Sequence, residues 1–134
     1  MRVFTHAIAL GVMTCLALLL LGCHQETGAA GAYHMGQLEA TLDASPQTVM
    51  NASKAAISDL HFAEVSSKQE GLDGQIVAKT ADDRKVQVKI DGQSDRVTKV
   101  VIIVGVLGDE SLSRQVLDKI RSNLPMLDRT TRAL

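Results

Sequence analysis

The chain has few aromatic residues and almost no excess of either charge. Its 134 residues include no Trp, one Tyr and two Phe, so it offers no set of aromatic side chains on which bases or sugars stack. The 14 Lys and Arg residues nearly balance the 15 Asp and Glu residues. Because a protein without a basic surface lacks the field that attracts nucleic acid, no nucleic-acid partner is expected. The core has to be aliphatic.

Cysteine is also scarce, and both cysteines lie near the N-terminus, at Cys15 and Cys23. The sequence has no charged residue between Ala7 and Leu21, and Arg2 precedes this apolar run. A basic start followed by a run of this length is typical of a signal peptide. The run is shorter than the roughly 20 apolar residues that a membrane-spanning helix needs. An uncleaved single-span anchor is the alternative interpretation.

The apolar run ends in the letters LLGC at residues 20–23, which resemble the lipobox of bacterial lipoproteins. The resemblance implies that the thiol of Cys23 receives a diacylglyceryl group and that a peptidase cuts the Gly22–Cys23 bond. It also implies that no free thiol is left in the mature chain, so no disulfide is expected. The alternative is that Cys23 is an ordinary thiol behind a hydrophobic helix. Cys15 is a weaker candidate, since Thr14 is unfavourable before a cleavage site.

The same resemblance implies a location. The residue after Cys23 is His24, and lipoproteins without Asp at this position usually go to the outer membrane. We therefore expect a lipid-anchored protein that faces the periplasm from the outer membrane, with the inner membrane as the alternative. The predicted organisation is a signal peptide (1–22), a lipidated flexible tether (23–32), one domain (33–124) and a flexible C-terminal tail (125–134).

Hydrophobic periodicity predicts an α+β domain. Alternation of apolar and polar residues indicates strands around residues 38–42 and 85–91, and shorter strands are predicted at 62–69 and 75–80. The run at 97–108 is apolar on both sides, which is typical of a strand inside a sheet. Ser45 and Pro46 indicate the start of a first helix.

A second helix is predicted to begin at Asp109 and to stop at Pro125. We summarise the order as β-α-β-β-β-α. This order corresponds to a two-layer domain in which a mainly antiparallel sheet carries both helices on one face.

No motif predicts an active site, a metal site or a cofactor. The histidines are isolated, and the segment DGQSD at residues 91–95 lacks the spacing of a calcium loop and is interpreted as a turn. The acidic pair Asp82–Asp83 falls in a predicted hairpin turn, and the pair Asp109–Glu110 at a helix start, where negative charge offsets the helix dipole. We expect a protein that is not an enzyme.

One apolar feature predicts a partner surface. If both helices cover one face of the sheet, the other face exposes Val101 and Ile103, with Val77 near them. Exposed apolar patches often mark interaction sites. The alternative is that an interior strand favours β-branched residues whatever its surroundings, with Lys79 and Lys89 keeping the patch small.

The stretches TVMNASKAAISDL, GLDGQIVAKTADDRKVQVKI and VIIVGVLGDESLSRQVLDKI together resemble a family of small bacterial lipoproteins with a domain of unknown function. The resemblance covers Tyr33 to Leu124, and its most specific part is the strand-to-helix junction with Gly105, Gly108, Asp109 and Ser113. It implies no activity. More distantly, the predicted order looks like the helix-grip domains of a lipoprotein accessory to the outer-membrane β-barrel assembly machine.

The sequence is compatible with two functions. The first is a non-enzymatic interaction or accessory module at the cell envelope, whose partners are the membrane, through the lipid, and an envelope protein. The alternative is an envelope lipoprotein that binds a small molecule or a lipid between helices and sheet. That function needs a pocket bounded by Leu38, Val49, Ala56 and Val116. The small alanines of the first helix indicate close packing, which disfavours such a cavity.

Overall fold

The structure, a computed structural model, describes residues 31–125. Six strands and two helices make up this part of the chain. The elements, in chain order, are β1 (Ala32–His34), β2 (Gln37–Leu42), α1 (Pro46–Asp59), β3 (Ala63–Glu70), β4 (Asp73–Lys79), β5 (Lys85–Ser94), β6 (Val97–Val104) and α2 (Glu110–Asn123).

All six strands join one antiparallel sheet in the order β1-β2-β6-β5-β4-β3. Strands β3 to β6 are joined to one another by consecutive hairpin turns. Strand β6 then pairs with β2, which precedes α1 in the sequence. This arrangement places β6, the most apolar strand, between two neighbours, as its sequence predicts. The edges of the sheet are β1, which is only three residues long, and β3.

The core lies between one face of the sheet and the two helices. Alternate residues of β2, β4, β5 and β6 point into it, because successive side chains of a strand point to opposite faces. The apolar residues of the alternating stretch predicted at 85–91, which are Val86, Val88 and Ile90, are all buried. Val49, Ala52 and Ala56 of α1 and Val116, Leu117 and Ile120 of α2 belong to the same buried cluster. Both helices therefore cover the same face.

Both helix starts follow the predicted capping chemistry. The Ser45 hydroxyl accepts a hydrogen bond from the Thr48 backbone N–H at 3.2 Å, and Pro46 occupies the first turn of α1. The Asp109 carboxylate accepts one from the Leu112 backbone N–H at 2.9 Å. A short polar side chain at this position satisfies a backbone donor that has no partner inside the helix.

The α+β class, the antiparallel sheet and the two helices are confirmed. The sheet has six strands, one more than the five stretches whose patterns predict strands. The predicted first strand, around residues 38–42, is β2. An additional short strand, β1, precedes it across a turn at Met35 and Gly36, whose φ angles are 48° and 82°. The four stretches predicted as strands between the helices all form strands, β3 to β6. Strand β5 also runs on to Ser94, through a register shift near Gly92, where the sequence predicts only a turn.

The predicted signal peptide, most of the tether and the tail lie outside the described residues. Ala32, which the sequence assigns to the tether, is the first residue of β1. Gly31 already packs against the domain, since a Cβ there would lie 3.1 Å from Leu117 Cδ2. Neither of the helices in residues 31–125 is long and apolar enough to cross a membrane.

The end of α1 gives a stability prediction. His61 follows the helix with φ 56°, and the backbone N–H of Phe62 donates to the Ile57 carbonyl at 3.0 Å, which is a Schellman-type ending. Glycine adopts this left-handed conformation without the Cβ penalty. We expect His61→Gly to raise the free energy of unfolding by about 0.5–1 kcal/mol in urea titrations.

His61→Ala is the matched control because it removes the imidazole and keeps the Cβ. It should show no comparable gain. Equal stabilisation by both substitutions would mean that the imidazole, and not the backbone conformation, carries the cost.

Candidate functional site

The face of the sheet opposite the helices holds the predicted partner residues, and we call it the open face. Along β6, buried residues alternate with half-buried ones, and the half-buried set includes Val101 and Ile103. Buried Val100, Ile102 and Val104 point to the helices. Val101 and Ile103 therefore lie side by side on the open face, near the middle of the sheet.

Val77 lies on the same face but does not touch this pair across the sheet. Val77 is opposite Gln87 of β5, and Gln87 is in turn opposite Ile103 of β6. On its other side, Ile103 is opposite Gln37. The predicted patch is thus an apolar pair, Val101 and Ile103, separated from Val77 by the side chain of a glutamine. Strand order and register, which the sequence leaves open, decide this spacing.

Charged side chains border the apolar pair. Val101 lies between Glu39 of β2 and Lys89 of β5. The Lys99 ammonium is 2.8 Å from the Glu39 carboxylate, and this hydrogen-bonded ion pair raises the pKa of Lys99. Asp91 follows Lys89 by two residues on the same face of β5. It is opposite Asp73 of β4, which is in turn opposite Glu70 of β3, so three carboxylates are neighbours there. The open face is therefore a narrow apolar centre with charges of both signs around it.

The edge strands are poor sites for strand addition. Strand β3 has an irregularity in its register between Glu64 and Ser66 and carries exposed charges at Glu64, Lys68 and Glu70. Bulges and charges on an edge hinder pairing with another chain, and β1 is short. The open face is accordingly the better candidate for an interaction surface.

The proposed small-molecule pocket has no room where the sequence places it. Leu38, Val49, Ala56 and Val116 are all 0 % exposed and pack in the core. An open groove of about 370 Å³ lies elsewhere, on the outer side of the helices, and is lined by Leu60, Gln115, Asp118, Lys119 and Ser122. Most of these lining side chains are polar, and the groove contains none of the predicted residues.

The acidic pairs have structural roles. The Asp82 carboxylate accepts from the Thr80 hydroxyl and from Arg84 Nε at 2.7 Å, and its pKa is lowered, chiefly by the Thr80 hydrogen bond. Arg84 Nη1 also donates to Asp109 at 2.8 Å. The pKa of Asp109 is lowered, first by the Leu112 backbone N–H and then by Arg84. Arg84 thereby joins the β4–β5 turn to the start of α2.

Candidate ligands for a metal are dispersed. Within residues 31–125, no three His, Cys, Asp or Glu side chains lie close enough to hold a metal ion together. His34 is exposed on the short edge strand, and His61 is exposed after α1. His24, Gly22 and the predicted lipidation site Cys23 lie outside the described residues.

Sequence reasoning missed a second surface, at the turns beside the strand-to-helix junction. Met35, Val106 and Leu107 are 97 %, 100 % and 92 % exposed. We call these three side chains the apolar tip. The available signal was the pair Val106–Leu107 between Gly105 and Gly108, because turns ordinarily carry polar residues.

The junction residues form turns and a helix cap. Gly105 and Gly108 have φ angles of 69° and 84°, which favour glycine. Asp109 caps α2, and the buried Ser113 hydroxyl donates to the Asp109 carbonyl oxygen at 2.6 Å. This part of the chain is therefore fixed by turns and caps.

The chain matches the family described as Protein of unknown function (DUF3568) over residues 1–123, and it belongs to that family. The match includes the predicted signal region and ends at the last residue of the second helix. No curated protein is significantly similar to the chain.

Proposed function

We propose that this member of the DUF3568 family is a lipid-anchored periplasmic lipoprotein of the outer membrane that acts as a non-enzymatic interaction or accessory module of the cell envelope. The LLGC segment at residues 20–23 supports the anchor. The observation that carries the interaction role is the open face, on which Val101 and Ile103 lie half-buried while both helices pack on the other side.

The proposed contact uses the rigidity of the sheet. Ile103 and Val101 sit on a strand that is hydrogen-bonded on both sides, so their positions are fixed before a partner arrives. A partner's apolar side chains cover this pair. Glu39 and Lys99 beside it set the orientation, since charges bordering an interface contribute to specificity and association rate more than to affinity.

Crosslinking in intact cell envelopes tests this role. We expect the wild-type chain to form specific crosslinks with an envelope protein, and Ile103→Asp to lose them because a carboxylate is then desolvated at the centre of the contact. Crosslinked products are identified by mass spectrometry after affinity purification.

Gln75→Asp is the matched control. It places the same charge on the open face, at an exposed position of β4 that is opposite Lys89. Its crosslinks should match those of the wild type, and thermal melting should show that both variants are folded at the temperature of the crosslinking. If wild type and Ile103→Asp recover the same nonspecific proteins, the interaction role of the open face is refuted.

A further inference from the structure

The apolar tip is a single surface built from two turns. Met35 belongs to the turn between β1 and β2, and Val106 and Leu107 to the turn between β6 and α2. A Cβ on Gly36 would lie 3.0 Å from the Leu107 carbonyl oxygen, so the two turns touch through their backbones. The three side chains are therefore exposed together at one end of the sheet.

Hydrogen bonds hold the tip in place. The Gly105 backbone N–H donates to the Lys85 carbonyl at 2.8 Å, which fixes the start of the second turn against β5. The Asp109 cap and the Ser113 hydroxyl fix its end. Three nearly fully exposed apolar side chains on a rigid support cost free energy in water. Their transfer into an apolar medium is therefore favourable.

Most of the negative charge around the tip is neutralised by ion pairs. Four carboxylates lie in the adjoining β4–β5 turn and at the start of α2, and each is within 2.8 Å of a cationic partner. Arg84 pairs with two of the carboxylates, so three cations serve four carboxylates and one net negative charge remains. Repulsion by the phosphate groups of lipids is therefore much smaller than four unpaired carboxylates would cause. The pairs are Asp82–Arg84, Asp83–Lys79, Asp109–Arg84 and Glu110–Arg114.

The tip also lies near the point at which the chain enters the domain. Gly31 packs against β2 and α2, and Met35 follows four residues later. The eight residues from Cys23 to Ala30 span at most about 28 Å when fully extended. A lipid on Cys23 therefore keeps the tip within reach of the same leaflet.

We propose that the apolar tip inserts into the phospholipid surface to which the chain is anchored, so that the domain is held at two points. The inference rests on the proposed lipid attachment at Cys23. Three side chains bind a membrane only weakly by themselves. The tether makes their insertion an intramolecular event at high effective concentration. The acyl chains supply the attachment, and the tip supplies the orientation of the domain.

Fluorescence quenching tests this on the processed chain, which is expressed with its own N-terminal segment and purified after lipid attachment. The chain is reconstituted into vesicles of phosphatidylethanolamine and phosphatidylglycerol, some of which carry brominated acyl chains as quenchers. A bimane label is attached at Val106→Cys, the one free thiol when Cys23 carries lipid. Asp95→Cys is the control, because it is an exposed turn position at the other end of β6. We expect quenching at residue 106 and none at residue 95.

A second variant shows whether the apolar side chains cause the insertion. With the label at Met35→Cys, quenching should be lost when Val106→Asp and Leu107→Asp are introduced together. Both side chains are almost fully exposed, so these substitutions leave the core unchanged. Thermal melting confirms that the fold is retained.

The outcomes separate the two proposals. If the chain floats with the vesicles and the label at residue 106 is not quenched, tip insertion is wrong and the anchor stands. If the chain does not float with the vesicles, the anchor fails and the inference fails with it. If residue 106 is shielded in native envelopes but not in protein-free vesicles, the tip contacts a protein, and lipid insertion is wrong.

Discussion

Replacing Gly108 with alanine should lower the free energy of unfolding by about 3 kcal/mol or more. Gly108 has φ 84°, a conformation that L side chains rarely adopt. A Cβ at this position would lie 2.3 Å from Gly36 Cα, 2.5 Å from the Tyr33 hydroxyl and 2.7 Å from the Gly36 carbonyl oxygen. Two of these three atoms belong to the backbone, so the contact cannot be relieved by turning a flexible side chain.

Gly105→Ala is the control that separates conformation from contact. Gly105 also has a positive φ, 69°, but a Cβ there meets nothing within 4 Å. Its substitution should cost about 1–2 kcal/mol, which is the penalty of the left-handed conformation alone. Urea titrations of both variants give the comparison. Equal losses would mean that the close approach of Gly108 to Gly36 does not exist in solution.

The glycine contact also matters for the apolar tip. Gly36 and Gly108 bring the turn with Met35 against the turn with Val106 and Leu107. A bulkier residue at either glycine separates the two turns. The residues that the family resemblance singles out at this junction therefore support the same surface that we propose inserts into lipid.

Much of the fold follows from local patterns. The alternation around Val86, Val88 and Ile90 predicts which side of β5 is buried, because side chains of a strand alternate between two faces. Ser45 and Asp109 predict the helix starts, because their oxygen atoms satisfy backbone donors within three residues. Each of these features depends only on residues within a few positions of one another, so it can be predicted from the sequence.

The candidate surfaces depend on contacts that the sequence does not show. The pairing of β2 with β6 joins residues more than 50 positions apart. Together with the β4–β5 and β5–β6 registers, it places Gln87 between Val77 and Ile103. The approach of Gly36 to Gly108 is likewise a contact between distant turns. For this reason the apolar tip is visible in the structure and was missed in the sequence.

The two proposed surfaces fit one orientation of the domain. Strand β6 runs from Val97 to Val104, directly before the tip. With the tip in the lipid surface, Ile103 lies at the end of the open face nearest the membrane, and the turn at Asp95 lies farthest from it. On this arrangement, a protein that covers Ile103 does so close to the membrane. Membrane-associated envelope proteins are thus the class of partner that the geometry favours.

Replacing Cys23 with serine should abolish lipid attachment completely. A hydroxyl does not take the place of the thiol in the thioether, and we expect the precursor to remain unprocessed or the chain to leave the membrane fraction. The measurement combines fractionation of cell envelopes with mass spectrometry of the N-terminus. In the wild type, the N-terminal peptide should begin at an acylated Cys23, with residues 1–22 removed.

Cys15→Ser is the matched control for this substitution. It makes the same replacement of sulfur by oxygen eight residues earlier, within the apolar run, and leaves the LLGC segment intact. The Cys15 variant should be processed, acylated and anchored like the wild type. A Cys23→Ser chain that is still cleaved and still bound to the membrane would contradict the anchor. Loss of anchoring in the Cys15 variant alone would instead place the lipid on the first cysteine. The tether would then be eight residues longer than the segment from Cys23 to Ala30, and the tip would no longer be held as close to the lipid.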